Sequence, residues 1–234
     1  MKNRVVVITG GNGGLGKAVV QRFWNTGAKI IAPVTSEKSA AELIAFLGSE
    51  ERLQTIEADL TDSASVKSLF SQIDEEYGRC DVLVHLVGGF WMGGDIDETP
   101  FSQFEKMIRL NLFTAFLCAR SAFGMMKDAR SGKIFTVAAR AALELPAGMA
   151  AYTTSKAALL AFTESLAKEG APYGVQSNTI LPGVIDTPAN RKSMPEANFD
   201  NWVTPEQIAE VIHAMAQPGI TEVTGSSVKV YGKS

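Results

Sequence analysis

Short runs of apolar, mostly β-branched residues alternate along the chain with longer stretches in which apolar residues recur every three to four positions. The runs predict strands at Val5–Ile8, Lys29–Pro33, Leu53–Glu57, Asp81–Val87, Gly132–Val137, Val175–Leu181 and Val228–Val230. Continuous apolar runs of this length are typical of parallel strands that are buried on both faces. The longer stretches predict helices, including one over Phe101–Lys127 with Asn111 at its middle. The pattern therefore predicts an α/β fold with a parallel sheet.

Length and composition narrow the class of protein. At 234 residues the chain can form one large domain, and we expect residues 1–234 to form a single domain. A net charge of −3 argues against nucleic acid and anionic membranes as partners, because both attract a basic surface. Cys80 and Cys118 lack the spacing of metal ligands, so we expect reduced core thiols and no metal site. The sequence shows neither a signal-peptide pattern nor a run of about 18 apolar residues, so the expected location is cytoplasmic.

A glycine-rich turn follows the first predicted strand. Gly11, Gly13 and Gly16 fit the spacing GxGxxG, and Thr9, Gly10, Gly14 and Gly16 fit TGxxxGxG. Helical periodicity begins directly afterwards, so the turn joins a strand to a helix. Glycine lets the backbone approach a pyrophosphate, and the helix amino terminus offers unpaired N–H groups. We predict that a dinucleotide binds here through the segment that contains Gly10, Asn12, Gly14, Leu15 and Gly16; the alternative is a glycine-rich turn without a ligand.

The end of the second strand bears on the choice of cofactor. The residues there are Val34, Thr35 and Ser36, and neither an acid nor an arginine is among them. An acid would hydrogen-bond a ribose 2′-hydroxyl and repel a 2′-phosphate, and Asp in place of Val34 should therefore favour NADH. Because Thr35, Ser36 and nearby Lys38 can accommodate a phosphate, we expect a small preference for NADP(H), with NAD(H) possible. Equally, these residues can serve only to cap the next helix.

Tyr152 and Lys156 are four residues apart and therefore share one face of a predicted helix. An isolated phenol has a pKa of about 10, and a neighbouring ammonium lowers that pKa toward neutral pH. The pair can then exchange a proton with a carbonyl or an imine. Taken alone, the spacing also fits a buried tyrosine and a surface lysine with no catalytic role.

Four further segments accompany this pair. Asp59, followed by Leu60, lies just beyond the third strand and offers acceptors for an adenine amino group. The fourth strand runs through Val87 into Gly88 and a glycine-flanked aromatic segment, 88–94, that can offer rings to a flat substrate. His85 within this strand is interpreted as a core residue. Residues 186–203 predict an irregular loop over the site.

With TGxxxGxG, Ala58-Asp59-Leu60, Asn111, Tyr152-x-x-x-Lys156 and Pro182-Gly183 in this order, the whole chain resembles the short-chain dehydrogenase/reductase family. The resemblance implies a Rossmann-type, doubly wound parallel sheet of about seven strands, with helices on both faces and NAD(P)(H) at its carboxyl edge. It implies that Tyr152 donates or accepts the proton and that Lys156 binds the nicotinamide ribose and lowers the tyrosine pKa. It further implies that Asn111 holds a relay water, and that Asp59 meets adenine and Thr187 the carboxamide.

The chain departs from the family pattern at two places. Ala139 stands where the family usually has a serine that hydrogen-bonds the substrate oxygen, and His85-Leu86-Val87-Gly88 replaces Asn-Asn-Ala-Gly. Loss of such a preorganised donor can cost about 3 kcal/mol in a carbonyl reduction. The quinonoid dihydropteridine reductases lack that serine, and the segments around Ala139, Gly88–Trp91 and Asp186–Ala197 resemble that branch. The expected substrate-contacting residues are Ala139, Trp91, Met149, Met194 and Trp202.

The sequence therefore supports three interpretations of function. The first is an NAD(P)H-dependent reductase acting on a quinonoid dihydropterin or a similar flat heterocycle. The others are a ketone or aldehyde reductase or alcohol dehydrogenase, and a cofactor-binding sensor or scaffold whose catalysis is impaired by Ala139. The resemblance also implies a homodimer or homotetramer, paired through the helices of Asn111 and Tyr152. Apolar residues on these helices exceed what one buried stripe needs.

Overall fold

The computed structural model describes residues 1–233, which contain one seven-stranded sheet. The strands are β1 Val5–Thr9, β2 Lys29–Val34, β3 Leu53–Glu57, β4 Val82–His85, β5 Gly132–Val137, β6 Val175–Pro182 and β7 Ser227–Val230. All neighbours in the order β3-β2-β1-β4-β5-β6-β7 pair in parallel. The Rossmann-type α/β fold expected from the sequence is thereby confirmed. The strand order reverses between β1 and β4, and the crevice beyond the carboxyl ends of these strands is where such sheets bind ligands.

Helices connect the strands and cover both faces of the sheet. They are α1 Gly14–Trp24, α2 Glu37–Leu47, α3 Ser63–Tyr77, α4 Phe101–Ile108, α5 Thr114–Asp128, α6 Ala141–Glu144, α7 Ala150–Gly170, α8 Pro188–Ser193 and α9 Pro205–Met215. Helix α9 begins with a reciprocal cap, in which Thr204 and Gln207 each bond the other's backbone N–H. Among residues 1–233, no helix is long and apolar enough to cross a membrane.

Alternate strand residues enter two separate apolar clusters, one on each face of the sheet. Val6 and Ile8 pack with residues of α1, α2 and α9, whereas Val5 and Val7 pack with residues of α3, α5 and α7. Burial on both faces explains why the strands are continuous apolar runs in the sequence. Cys80 and Cys118 lie in the second cluster, and within residues 1–233 both are free, buried thiols. Burial raises the pKa of the Cys118 thiol to about 12, as expected for an inert core residue.

Three elements differ from the sequence-based prediction. Strand β4 ends at His85, because the N–H of Leu86 donates to the side chain of Thr9. The predicted helix over Phe101–Lys127 is interrupted by a π-helical turn, Arg109–Phe113, between α4 and α5. The segment 186–203, predicted to be irregular, contains α8 and a 3-10 turn at Phe199–Asn201. A hydroxyl cap at Thr187 and Pro188 at the first helical position explain α8.

Candidate active site

The glycine-rich turn brings β1, β4 and the start of α1 into close contact. Gly10 has φ +68° and lies against β4, so that a Cβ there would be 3.2 Å from the backbone nitrogen of Val87. At Gly16 a Cβ would lie 2.0 Å from the carbonyl oxygen of Gly10. Both positions therefore require glycine, the first for its left-handed backbone and the second for space. The backbone of the turn is therefore tightly packed against the neighbouring backbone.

Helix α1 begins with its first turn facing the carboxyl edge of the sheet. Its cap residue is Gly13, and in the described chain no side chain caps this terminus and no acid occupies its first turn. Gly13 and Gly14 are exposed, and Leu15 is half-buried. A helix amino terminus with exposed glycines and positive dipole can bind a pyrophosphate. The described residues therefore fit the dinucleotide that the sequence predicts.

The neighbours of this turn come from distant parts of the chain. Thr187 lies directly over Gly14, where an added Cβ would be 2.7 Å from the threonine Cγ2. The Asn12 side chain donates to the carbonyl of Ser39 in α2. Pro182 ends β6, and the Gly183 N–H donates to the carbonyl of Val230 at 3.0 Å. The predicted cofactor residues at positions 10–16 and 182–187 thus meet at one edge of the sheet.

At the end of β2, the three residues differ in accessibility. Val34 is buried, with 6% of its surface exposed, whereas Thr35 is exposed. The Ser36 hydroxyl caps α2 by accepting from the Ser39 N–H at 3.3 Å. The interpretation of Ser36 as a helix cap is therefore confirmed, whereas the expected effect of Asp at position 34 stays a prediction. Thr35 is the position open to a ligand.

Asp59 is exposed beyond β3, and Leu60 beside it is buried. One carboxylate oxygen of Asp59 accepts from both the backbone N–H and the hydroxyl of Thr61, each at 2.8 Å. These bonds, and more weakly the charge of Arg109, lower the pKa of Asp59. The side chain is thus held as an oriented carboxylate at the edge where adenine is predicted to lie.

Asn111 is fully buried in the π-helical turn and joins two elements of the site. Its Oδ1 accepts from the Gly89 N–H at 2.8 Å, and its Nδ2 donates to the Gly89 carbonyl at 3.1 Å and to the Ser155 hydroxyl at 2.8 Å. Ser155 in turn donates to the carbonyl of Tyr152 at 2.7 Å. This network explains the asparagine inside a predicted helix, and π-helical turns of this kind are frequent at functional sites.

Lys156 lies beside Asn111 at the end of β4. A Cβ on Gly88 would be 2.6 Å from Asn111 Oδ1 and 3.1 Å from Lys156 Nζ, so only glycine fits between them. Lys156 is 6% exposed and donates to the carbonyl of Val137 at 2.8 Å. The predicted residues Gly88, Asn111 and Lys156 are therefore brought together. Ser155 and the Val137 carbonyl were not predicted, because their roles depend on contacts between distant segments.

The protonation of the Tyr-Lys pair differs from the sequence-based expectation. Burial raises the pKa of Tyr152 to about 12 and lowers the pKa of Lys156 to about 8. Each shift disfavours the charged form, as removal from water does. The expected lowering of the tyrosine pKa by Lys156 is not found in this arrangement. At neutral pH the phenol is a neutral proton donor.

The substrate side of Tyr152 carries an aromatic ring that the predicted site residues did not include. Phe90 contacts the Tyr152 ring edge-on, with centroids 5.0 Å apart, and 62% of its surface is exposed. The sequence signal was its place in the glycine-flanked aromatic segment. Half-buried Trp91 instead folds over Gly93 of the same segment.

Two loops meet beside this aromatic pair. The Gly93 N–H donates to the carbonyl of Gly148 at 2.9 Å, and Met149 next to it is the cap residue that precedes α7. Gly148 has φ +75°, and an added Cβ would be 2.8 Å from the Gly93 carbonyl. Ala139 follows β5 and is half-buried, and its side chain offers no hydroxyl to a ligand.

The predicted contacts in the segment 186–203 have different surroundings. Met194 follows α8 and is 39% exposed. Trp202 is 9% exposed, and its ring packs 4.8 Å from that of Phe199. The indole of Trp202 is thus almost fully buried, and its predicted contact with the substrate stays a prediction. Met194 is the accessible apolar side chain of this segment.

The described geometry defines a class of protein. A parallel sheet carries a glycine-rich turn with exposed Gly13 and Gly14 at its switch point, and a half-buried phenol, a buried ammonium and a buried asparagine lie beside the same edge. Within residues 1–233 no group of His, Cys, Asp and Glu side chains is placed to hold a metal ion. This arrangement is typical of a dinucleotide-binding oxidoreductase.

The comparisons with known proteins identify the family. The family model described as short chain dehydrogenase matches residues 4–198, and the chain belongs to this family. It is 30% identical over 218 residues to the uncharacterized oxidoreductase YxjF of Bacillus subtilis (strain 168), covering 91% of this chain and 82% of that protein. It is 27% identical to the 3-oxoacyl-[acyl-carrier-protein] reductase FabG of Vibrio cholerae serotype O1, covering 99% and 97% of the two chains.

A solved structure gives the same result for the fold. The structure of ElxO with NADP bound has a TM-score of 0.93 and 26% sequence identity, and covers 99% of this chain and 98% of the other. The chain is thus an NAD(P)-dependent oxidoreductase of the short-chain dehydrogenase family.

Proposed function

We propose that the protein is an NAD(P)H-dependent reductase in which Tyr152 protonates a flat substrate held against Phe90. The observation that carries the proposal is the half-buried, neutral Tyr152 phenol with the exposed Phe90 ring at its edge. When bound, a nicotinamide would supply a hydride to the electron-poor ring of a heterocycle or to the carbon of a carbonyl. Tyr152 donates its hydroxyl proton to a nitrogen or oxygen of the same conjugated group, and the phenolate then regains a proton from solvent.

The remaining residues have supporting roles in this proposal. Lys156 binds the nicotinamide ribose, and Asn111 holds a water through which a proton returns to Tyr152. Both residues lie beside Gly88, which follows β4. The uncapped start of α1 binds the pyrophosphate, with Thr187 over Gly14 to close it. In this proposal Asp59 accepts a hydrogen bond from the adenine amino group. We further propose that residues 1–234 form one domain, since strands from Val5 to Val230 belong to one sheet.

The proposed substrate is an electron-poor heterocycle of the quinonoid dihydropterin kind. Reduction of such a ring places the proton on nitrogen and develops little negative charge on oxygen, so a second hydroxyl donor is not needed. Ala139 supports this choice, because it lacks the hydroxyl with which the family's usual serine hydrogen-bonds a substrate oxygen. Exposed apolar side chains around the site favour the same kind of substrate, namely Phe90, Met92, Leu143, Leu145 and Met194.

Reduction of a ketone or aldehyde is the second candidate. It is favoured by the similarity to the FabG reductase, whose name describes reduction of a 3-oxoacyl group. A panel of one quinonoid dihydropterin, a quinone, a cyclic imine and an activated ketone, each with NADPH and NADH, separates the two. We expect the highest kcat/KM on the pterin or the quinone. The highest value on the ketone would establish the second candidate, and tight cofactor binding without any turnover would favour the sensor.

For the cofactor, we propose a preference for NADPH of less than about tenfold, or 1.4 kcal/mol. Thr35 is exposed, and neither Thr35 nor Ser36 carries a charge that repels or clamps a 2′-phosphate. Thr35→Asp should shift the preference to NADH by repelling that phosphate, whereas Thr35→Asn, of the same size but neutral, should not. Calorimetry of both variants with both cofactors checks this. Equal effects of Asp and Asn, or a wild-type protein that binds NADH far more tightly, would contradict the proposal.

A further inference from the structure

His85 is a buried titratable side chain that takes no part in the proposed reaction. It ends β4 and is 2% exposed. Its Nδ1 lies 3.1 Å from the Thr9 hydroxyl, and its Nε2 lies 3.1 Å from the Thr114 hydroxyl. The imidazole therefore spans the distance from the end of β1 to the start of α5.

The hydrogen bonds of the two threonines fix the tautomer of this imidazole. The Thr114 hydroxyl donates to the carbonyl of Leu110 at 2.7 Å, so it can only accept from His85, and Nε2 carries the proton. The Thr9 hydroxyl accepts from the Leu86 N–H at 3.1 Å and can then donate to the unprotonated Nδ1. Each donor in the bridge has one acceptor, so the donor and acceptor of every hydrogen bond along it are fixed.

Both ends of the bridge adjoin the candidate site. Thr9 immediately precedes Gly10, which starts the glycine-rich turn. Leu110 lies in the π-helical turn next to Asn111, whose side chain holds Gly89. A displacement of Thr114 would therefore be passed to the Asn111–Gly89 contact, and a displacement of Thr9 to the turn that meets the pyrophosphate.

We propose that His85 is a positioning residue that couples the glycine-rich turn to the π-helical turn of Asn111. The bridge thereby fixes the position of the cofactor site relative to the proton-transfer site. An imidazole suits this task because it offers one donor and one acceptor on a rigid ring. Burial and the charge of Lys156 lower the pKa of His85 to about 3, so the ring stays neutral and keeps its tautomer. The inference rests on the proposed roles of the turn and Asn111.

Substitutions at His85 separate the two ends of the bridge. In His85→Asn the side-chain oxygen can replace Nδ1 as acceptor for Thr9, but the donor to Thr114 is lost. In His85→Gln the amide can reach Thr114, but the acceptor for Thr9 is lost. We expect His85→Asn to accelerate exchange of the Gly89 amide hydrogen at least about tenfold, and His85→Gln to leave that exchange nearly unchanged while weakening NADPH binding about threefold to tenfold.

Thr114→Val tests the bridge without altering the imidazole. It should accelerate Gly89 exchange as His85→Asn does, and Thr114→Ser, which keeps the hydroxyl, should restore the wild-type rate. Thr163→Val is the matched control, since Thr163 is equally buried and hydroxyl-bonded to Thr136 at 2.9 Å, away from the site. A merely structural role would give the same Gly89 exchange for Thr114→Val and Thr163→Val when the two are equally destabilised.

The decisive measurements are amide exchange by NMR and NADPH titration by fluorescence, and neither requires an identified substrate. If the panel above yields a substrate, Thr114→Val should lower kcat at least about tenfold with the NADPH KM within about twofold. If it yields none, the proposed reductase function is contradicted. The exchange rate of the Gly89 amide still tests the proposed role of His85, because that measurement needs no substrate. Gly89 exchange that is unchanged in both His85→Asn and Thr114→Val would overturn the inference.

Discussion

At the residue scale, Tyr152 and Lys156 are both displaced toward their neutral forms by burial, with pKa values of about 12 and about 8. A neutral phenol is ready to donate a proton, whereas accepting one would require a phenolate that is scarce at neutral pH. The site is therefore set for reduction in the neutral range. Oxidation of an alcohol by the same residues should become faster as the pH rises, because the phenolate fraction then grows.

Replacement of Tyr152 by Phe removes the proposed proton donor and keeps the ring that Phe90 contacts. We expect turnover of the best substrate in the panel to fall about 10²-fold to 10⁴-fold, the range typical for loss of a general acid. NADPH binding should be unchanged, since the phenol is not needed for affinity. Stopped-flow measurement of NADPH oxidation and fluorescence titration check the two parts. A variant that keeps a third or more of the wild-type rate would exclude Tyr152 as the donor.

Ala139→Ser distinguishes adaptation to a substrate from damage to the site. On an activated ketone, a new hydroxyl beside Tyr152 stabilises negative charge on the substrate oxygen, and we expect the rate to rise, by up to about a hundredfold. Reduction of a quinonoid pterin should change less than about threefold. The control is Ala141→Ser, a hydroxyl on a half-buried neighbour in α6. Stopped-flow hydride transfer gives both rates; a hundredfold gain on the pterin would mean that the alanine is a defect.

At the element scale, the strands could be predicted almost residue by residue, because the central strands β1, β4 and β6 are buried on both faces and the other strands also contain β-branched residues. The π-helical turn could not, because one extra residue in a helical turn hardly alters the 3.6-residue period of the flanking apolar positions. Asn111 was the only sequence signal for it. The Phe90–Tyr152 contact and the His85 bridge could not be predicted either, because they join residues that are distant in sequence. Phe90 and Tyr152 are 62 residues apart, and His85 is 76 residues from Thr9 and 29 from Thr114.

The glycine-rich turn allows a test of why its glycines are needed. In Gly16→Ala the new Cβ would lie 2.0 Å from the Gly10 carbonyl, so the turn must move and α1 with it. We expect a loss of about 1–3 kcal/mol of folding stability together with weakened NADPH binding. Gly124→Ala in α5, where a Cβ meets nothing within 4 Å, should instead gain up to about 1 kcal/mol.

Urea unfolding and NADPH titration of both glycine variants are the measurements. The comparison uses the same chemical change in two helices, so that the general effect of adding a methyl group is cancelled. If Gly16→Ala binds NADPH as tightly as Gly124→Ala does, the close packing of this turn is not what the cofactor site requires.

At the scale of the whole molecule, the outer surface of the helices that carry Asn111 and Tyr152 is unusually aromatic. Phe113 is 51% exposed and Phe116 is 43% exposed, and Phe116 contacts Phe162 of α7 with ring centroids 5.8 Å apart. Phe101 at the start of α4 is 77% exposed. Aromatic side chains gathered on one surface favour an interface, because their exposure to water is unfavourable. We propose that two copies of the chain pair through this surface.

Phe116→Glu should disrupt that pairing, since a carboxylate buried in an apolar interface is costly. By light scattering at micromolar concentration, we expect the wild-type protein to be a dimer or tetramer and the variant to have a smaller mass. Phe46→Glu is the matched control, because Phe46 is 39% exposed but lies on α2, and it should leave the mass unchanged. Asn111 lies in the π-helical turn just before α5, which carries Phe116. Loss of the interface should therefore also loosen the Asn111–Gly89 contact and lower turnover. A monomeric wild-type protein, or equal masses for Phe116→Glu and wild type, would contradict the proposed interface.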